Sequence, residues 1–208
     1  MTNGSDPAGA TQFLRRAEVS DAAQAIFGED VAELGFVMNA SRLWAYQPEA
    51  MAGLFKLMGC VTSGRPFSAR ERGILVAACA SVLGDSCCAL AWGTKLADIA
   101  DPGLAAGVLS GDDSELSAAE RAMAAWARRV ARDPNRTTAS DVQALRDAGF
   151  SDDDIFAMTV YVALRLALST VNDALGVLPD AEYATVAPAA VRAAVTFGRP
   201  MAVSPIPG

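Results

Sequence analysis

The stretch Ile74-Leu75-Val76-Ala77-Ala78-Cys79-Ala80-Ser81-Val82-Leu83 constrains the fold more than any other part of the chain. As a helix it is apolar nearly all round, and such a helix has to be covered on most of its sides. Its start is marked by Ser68-Ala69-Arg70-Glu71, a capping box in which the serine and the glutamate satisfy each other's free backbone N–H groups. Gly84 marks its end. A fold built round this segment needs many further helices to enclose it.

The rest of the chain supplies them. Ser20-Asp21 starts a short helix to Gly28, and Val31 to Leu34 continues before Gly35. Val37 to Tyr46 is helical, and Pro48 suits the first turn of a helix running to Gly59. Asp85-Ser86 can cap a helix from Cys87 to Ile99, and Asp101-Pro102 opens one to Leu109. A second capping box, Ser117 with Glu120, begins a helix to Arg132. Thr138 to Ala148 follows, and Ser151-Asp152-Asp153-Asp154 sets acids on the positive end of a helix from Ile155 to Leu175. The tail holds one helical patch, Ala187 to Phe197, before a proline-rich end expected to be mobile. Sustained period-two alternation is missing, so the expected class is all-α: a compact bundle of about eight to ten helices without a sheet.

The chain has 208 residues, 52% of them apolar and 20% charged, which excludes disorder and favours one domain. The expected organisation is a flexible segment 1–17, a helical domain 18–178 and a tail 179–208. Residues 110–117 look like a joint between two helical halves, with Asp112-Asp113-Ser114-Glu115 as a solvated linker. A net charge of −7 argues against nucleic acid and anionic membranes as partners. Arg165 interrupts the longest apolar candidate for a membrane span, Ile155 to Leu168, and Met1 to Ala10 has no signal-peptide pattern. A cytoplasmic protein is expected. The Met residues and Phe36, Phe55 and Phe156 fall at core spacing.

Histidine is absent. That removes imidazole acid–base chemistry, Ser–His or Cys–His nucleophiles and nearly all common transition-metal sites. Neither a metal nor another cofactor is expected. Four cysteines remain, in no zinc-ligand spacing, and the bland reading is reduced, partly buried thiols. Cys87 and Cys88 open a helix, where the free N–H groups favour a thiolate, so they are the reactive candidates. Cys79 reads as core filler, and Cys60 has no assignable place.

The segments Ser68-Ala69-Arg70-Glu71-Arg72, the apolar helix, Gly84 and Cys88 resemble the core of the alkylhydroperoxidase D and carboxymuconolactone decarboxylase family. Glu33-Leu34-Gly35-Phe36-Val37-Met38-Asn39 and Pro48-Glu49 are similar to its lead-in helices. Leu116 to Arg121, Gly149 to Ile155 and Val171 to Leu175 are similar to its second half. The likeness covers about residues 25–178 and implies that family's all-helical fold and a homo-oligomer, a trimer or hexamer. It also implies a peroxidase motif of Glu, eleven residues, Cys-x-x-Cys, three residues and His. Laid through Gly84 without a gap, those positions are Gly73, Asp85, Cys88 and Trp92. Glu71 cannot substitute, because two residues along a helix is about 200°, the opposite face.

Peroxide reduction and decarboxylation by the family's mechanisms are therefore not expected. The expected function is a repurposed, cofactor-free enzyme acting on a small molecule, of lyase, isomerase or decarboxylase type. A weak thiol peroxidase using Cys88 and a non-catalytic binding protein are the alternatives. Catalytic candidates are Cys88, Asp85 and Cys87. Asp85, one turn before Cys88, either moves its proton or merely caps the helix. Trp92, Gly73 and Arg165 are the substrate-binding candidates. Trp92 fills an imidazole's space or plugs it. Arg165 is expected to be buried, paired either with Glu71, Asp85 or Asp173 or with a substrate carboxylate.

Overall fold

The computed structural model describes residues 11–203. Eleven α-helices and a single 3-10 turn make up the described residues, with no strand among them. The all-α expectation is met. The helices are α1 (Asp21–Leu34), α2 (Asn39–Trp44), α3 (Pro48–Val61), α4 (Ala69–Leu83), α5 (Ser86–Ile99) and α6 (Pro102–Ser110). Then come α7 (Ala118–Arg132), α8 (Ala139–Asp147), α9 (Asp152–Ala174), α10 (Tyr183–Val186) and α11 (Ala189–Ala194).

The caps decide where most helices begin. Ser68 with Glu71, Ser117 with Glu120, Thr138 with Asp141 and Ser151 with Asp154 are all complete capping boxes. In α4 an unbroken run from Gly73 to Ala80 is buried, as its all-round apolar surface requires. It is the axis of the bundle, packed on α5, α6, α7 and α9. Gly73 lets α4 pack closely on α5: a Cβ there would lie 3.1 Å from Leu96 Cδ1.

Several expectations need correction. Gly28 does not end a helix; α1 runs through it, and its outward surface leaves nothing within 4 Å of a built Cβ. Phe156 and Phe55 are not core residues, being 71% and 46% exposed. Asp113 is not merely solvated, since Arg128 grips it in two hydrogen bonds of 2.6 and 2.8 Å and fastens the 110–117 joint to α7. Neither described terminal segment hangs free. The Leu178 N–H donates to the Thr11 carbonyl and the Phe13 N–H to that of Leu175. At the other end the Ser86 hydroxyl donates to the Arg199 carbonyl at 2.8 Å. The expectations for residues 1–10 and 204–208 lie outside the described residues.

Candidate functional site

Five helices, α1, α2, α3, α5 and α9, together with Tyr183 line a cavity of about 670 Å³. Its walls are mostly apolar, and that is the usual character of a small-molecule site. The chemistry lies where α5 begins. Asp85 is the N-cap of α5, its Oδ1 accepting the Cys88 N–H at 2.9 Å. This bond fixes the first turn and with it the side chains of Cys87, Cys88 and, one turn on, Trp92.

Cys88 faces the cavity but is only 8% exposed. Arg165 Nη2 and the Ser169 hydroxyl, both on α9, donate to its sulfur at 3.7 Å each. Burial pushes the Cys88 thiol up to about 12, with the Asp85 charge adding to it and Arg165 opposing. The helix start does not win here: desolvation of a thiolate outweighs the dipole. Cys87 also lines the cavity, yet its thiol donates to the Val177 carbonyl at 3.4 Å, and burial raises it as well. Cys79 is core filler, its sulfur buried near the Ala127 carbonyl, and Cys60 is exposed on the last turn of α3.

Arg165 is buried, 6% exposed, but the expected pairing with Glu71, Asp85 or Asp173 is not there. No carboxylate among the described residues lies within 4 Å of it, and Glu71 pairs with Arg65 instead. Its guanidinium lies over the Trp92 ring at 5.1 Å, while Lys95 Nζ lies 5.2 Å from the same ring. Trp92 is therefore a cavity wall held by two cations rather than an inert plug. Gly73 does not line the cavity, nor does Asp85. The first is a helix contact and cannot bind substrate from there. The second sits behind Cys88 as a cap, fully buried, with its Oδ2 unbonded.

Sequence reasoning missed two carboxyl groups that line the same cavity. Asp180 is 7% exposed and accepts the Asn39 N–H at 2.6 Å. Burial lifts it to about 7, helped by the Glu182 and Asp30 charges. Asp30 accepts the Met38 N–H at 3.0 Å and is likewise raised by burial. Also missed were Tyr183 and Trp44, whose indole N–H donates to Asn172 Oδ1 at 2.9 Å. Only Asn172 carried a signal, as part of the resemblance. Among the described residues, no group of three or more Cys, Asp or Glu side chains is placed to hold a metal ion.

The all-helical bundle is the fold of alkylhydroperoxidase-core and peroxidase-related proteins, and this chain has that fold. One solved relative is an uncharacterised peroxidase-related protein from Ralstonia eutropha JMP134, described as an alkylhydroperoxidase core. It matches with a TM-score of 0.74 and 21% identity over 85% of this chain and 96% of its own. A peroxidase-related protein from Silicibacter sp. TM1040 matches with a TM-score of 0.73 and 23% identity, over 89% of this chain and 98% of its own. The debrominase Bmp8 also shares the fold, with a TM-score of 0.66 and 17% identity over 89% of this chain and 95% of its own. A cysteine-to-alanine variant of it has been solved with 2,3,4-tribromopyrrole. No protein-family model and no curated protein matches the sequence.

Proposed function

We propose that this protein is a small-molecule enzyme in which Cys88, not a peroxide relay, is the covalent nucleophile. The observation that carries this reading is the Cys88 thiol facing an apolar cavity, with Asp85 and Trp92 where a second thiol and an imidazole would stand and with the Cys87 thiol turned to the Val177 carbonyl. The thiol adds to an electrophilic carbon of a flat, unsaturated substrate, and its proton passes to a carboxylate. Asp180 and Asp30 are the cavity's carboxyl groups for that transfer, and a carboxylate with a pKa near 7 is a stronger base than an ordinary one. Breaking the C–S bond after rotation or loss of a group restores the thiol, an isomerase- or lyase-type cycle with no net redox change.

The test is intact-protein and peptide mass spectrometry after exposure to a planar conjugated acceptor such as cinnamaldehyde. A reversible adduct on Cys88, absent in Cys88→Ser, is expected. Adducts confined to the exposed Cys60 would defeat the reading.

The debrominase neighbour favours one further reading. In it an aromatic C–Br becomes C–H, two thiols end as a disulfide, and bromide and a proton are released. Cys87 is unsuited as the second thiol, because a disulfide between adjacent residues is strained, so an added dithiol would supply it. Bromide release from 2,3,4-tribromopyrrole that requires both dithiothreitol and Cys88 would establish this reading over the first.

A cytoplasmic, homo-oligomeric protein belongs to the same proposal. All four cysteines are free thiols, as a reducing compartment requires. On α9, Ala163, Ala167, Thr170 and Ala174 form an exposed stripe at three- and four-residue spacing, with Phe156 exposed two turns before it, which a trimer or hexamer would cover. Light scattering that gives only the 21.5 kDa species would refute the oligomer.

A further inference from the structure

A guanidinium does not lose its proton, so a buried one needs an anion nearby. Each carboxylate that lines the cavity already has another donor or faces solvent. Glu33 binds Lys95 at 2.5 Å, Asp30 binds the Met38 N–H, and Asp180 binds the Asn39 N–H. Glu29 and Glu49 are exposed at the rim. The other acidic groups near Arg165 are two thiols and a phenol, Cys88, Cys79 and Tyr161, and burial raises all three, so each stays neutral at neutral pH. Arg165 is nine-tenths buried, and its Nε has no hydrogen-bond partner.

We propose that Arg165 is the receptor for an anionic group of the ligand, a carboxylate or phenolate carried by a small planar molecule. Arg165 lines the cavity beside the Cys88 sulfur, stacked on the Trp92 ring, and no carboxylate among the described residues pairs with it. The cavity's apolar walls accept the ring of such a ligand, and its anion completes the guanidinium. A fork of donors suits a planar oxyanion better than a point charge would. This inference rests on the reading of the cavity as a ligand site. It names what the site selects and also orients the ligand, since an anion on Arg165 sets its nearest carbons over Cys88.

Benzoate and its neutral counterpart benzamide are the probes, titrated against the intact wild-type protein with calorimetry or the fluorescence of Trp44 and Trp92 as readout. Benzoate is expected to bind and benzamide to bind roughly 10–100-fold more weakly, the range of a charge-assisted hydrogen bond. Arg165→Met should remove the difference between the two, and Arg165→Lys should keep part of it. Equal binding of the two probes, or no benzoate binding, overturns the proposal in wild-type protein alone, whether or not a variant folds. So does a Cys88 alkylation profile with a pKa below about 8 that rises in Arg165→Met, because the thiolate would then be the counterion. If benzoate fails while Cys88 adducts form, the anion site is wrong and the covalent reading stands. If benzoate binds and Cys88 stays unmodified, the reverse holds.

Discussion

Given an organic hydroperoxide and a dithiol, the protein will turn over roughly 10²–10⁴-fold more slowly than a chain of this fold with a complete proton relay. Three features combine. With burial pushing the Cys88 thiol up to about 12, the thiolate that attacks peroxide is scarce at pH 7. No acid or base occupies the relay positions, where Gly73 is a helix contact and Trp92 a cavity wall. No resolving thiol is within reach either, because Asp85 replaces it and the Cys87 thiol is turned to the Val177 carbonyl. Peroxide should oxidise Cys88 slowly and once. Gly73→Glu will not restore the relay, since even a Cβ there meets Leu96. Sustained turnover with a dithiol, lost in Cys88→Ser, would overturn this account.

Stability will fall as pH rises from about 5 to 7, by an amount that Asp180 and Asp173 set together. Burial lifts Asp180 and Asp173 to about 7, in Asp173 with the Asp85 charge adding and Arg199 opposing. Between the ordinary carboxyl value and about 7 the folded protein therefore holds protons that the unfolded chain has released. Their contribution is complete at low pH and is lost as pH climbs through that window. The opposite slope comes from carboxylates held low by hydrogen bonds: Glu120 from Arg70, Asp152 from Arg146 and Asp154 from Ser151. Those lose their contribution in acid, so stability should peak near pH 5. Asp180→Asn can still accept the Asn39 N–H without carrying charge. It should raise the midpoint of thermal unfolding at about pH 8 and flatten the decline. A wild-type midpoint that rises over this range, or an Asn variant with an unchanged slope, would contradict the assignment.

Helix starts were legible because a cap is written in three or four adjacent residues, as at Ser68, Ser117 and Ser151. The buried axis was legible too, since no face of α4 is polar. Direction was not. Phe156 has the spacing of a core residue, but period alone does not say which way a stripe points, and α9 turns this one outward. The nucleophile could be found from the helix start, yet its state could not. Whether the dipole or desolvation governs Cys88 depends on the depth of a cavity whose walls come from α1, α2, α3, α5 and α9. Asp180 and Tyr183 were invisible for a related reason. They lie beyond the resembling segments, and Asp180 reaches the site through Asn39, 141 residues away.

The docking of Arg199 has a consequence for the order in which the molecule is assembled. Gly198 passes so close to Gly84 and Ser86 that a Cβ there would overlap the Gly84 carbonyl, and the Arg199 backbone closes on the Ser86 hydroxyl across 113 residues. Contacts that distant in sequence carry the largest loop-closure cost and favour late formation. During synthesis the helix that bears Cys88 leaves the ribosome more than a hundred residues before the segment that clasps its first turn. The first turn of α5, which carries Cys88, is therefore clasped only once residues 198 and 199 have been made.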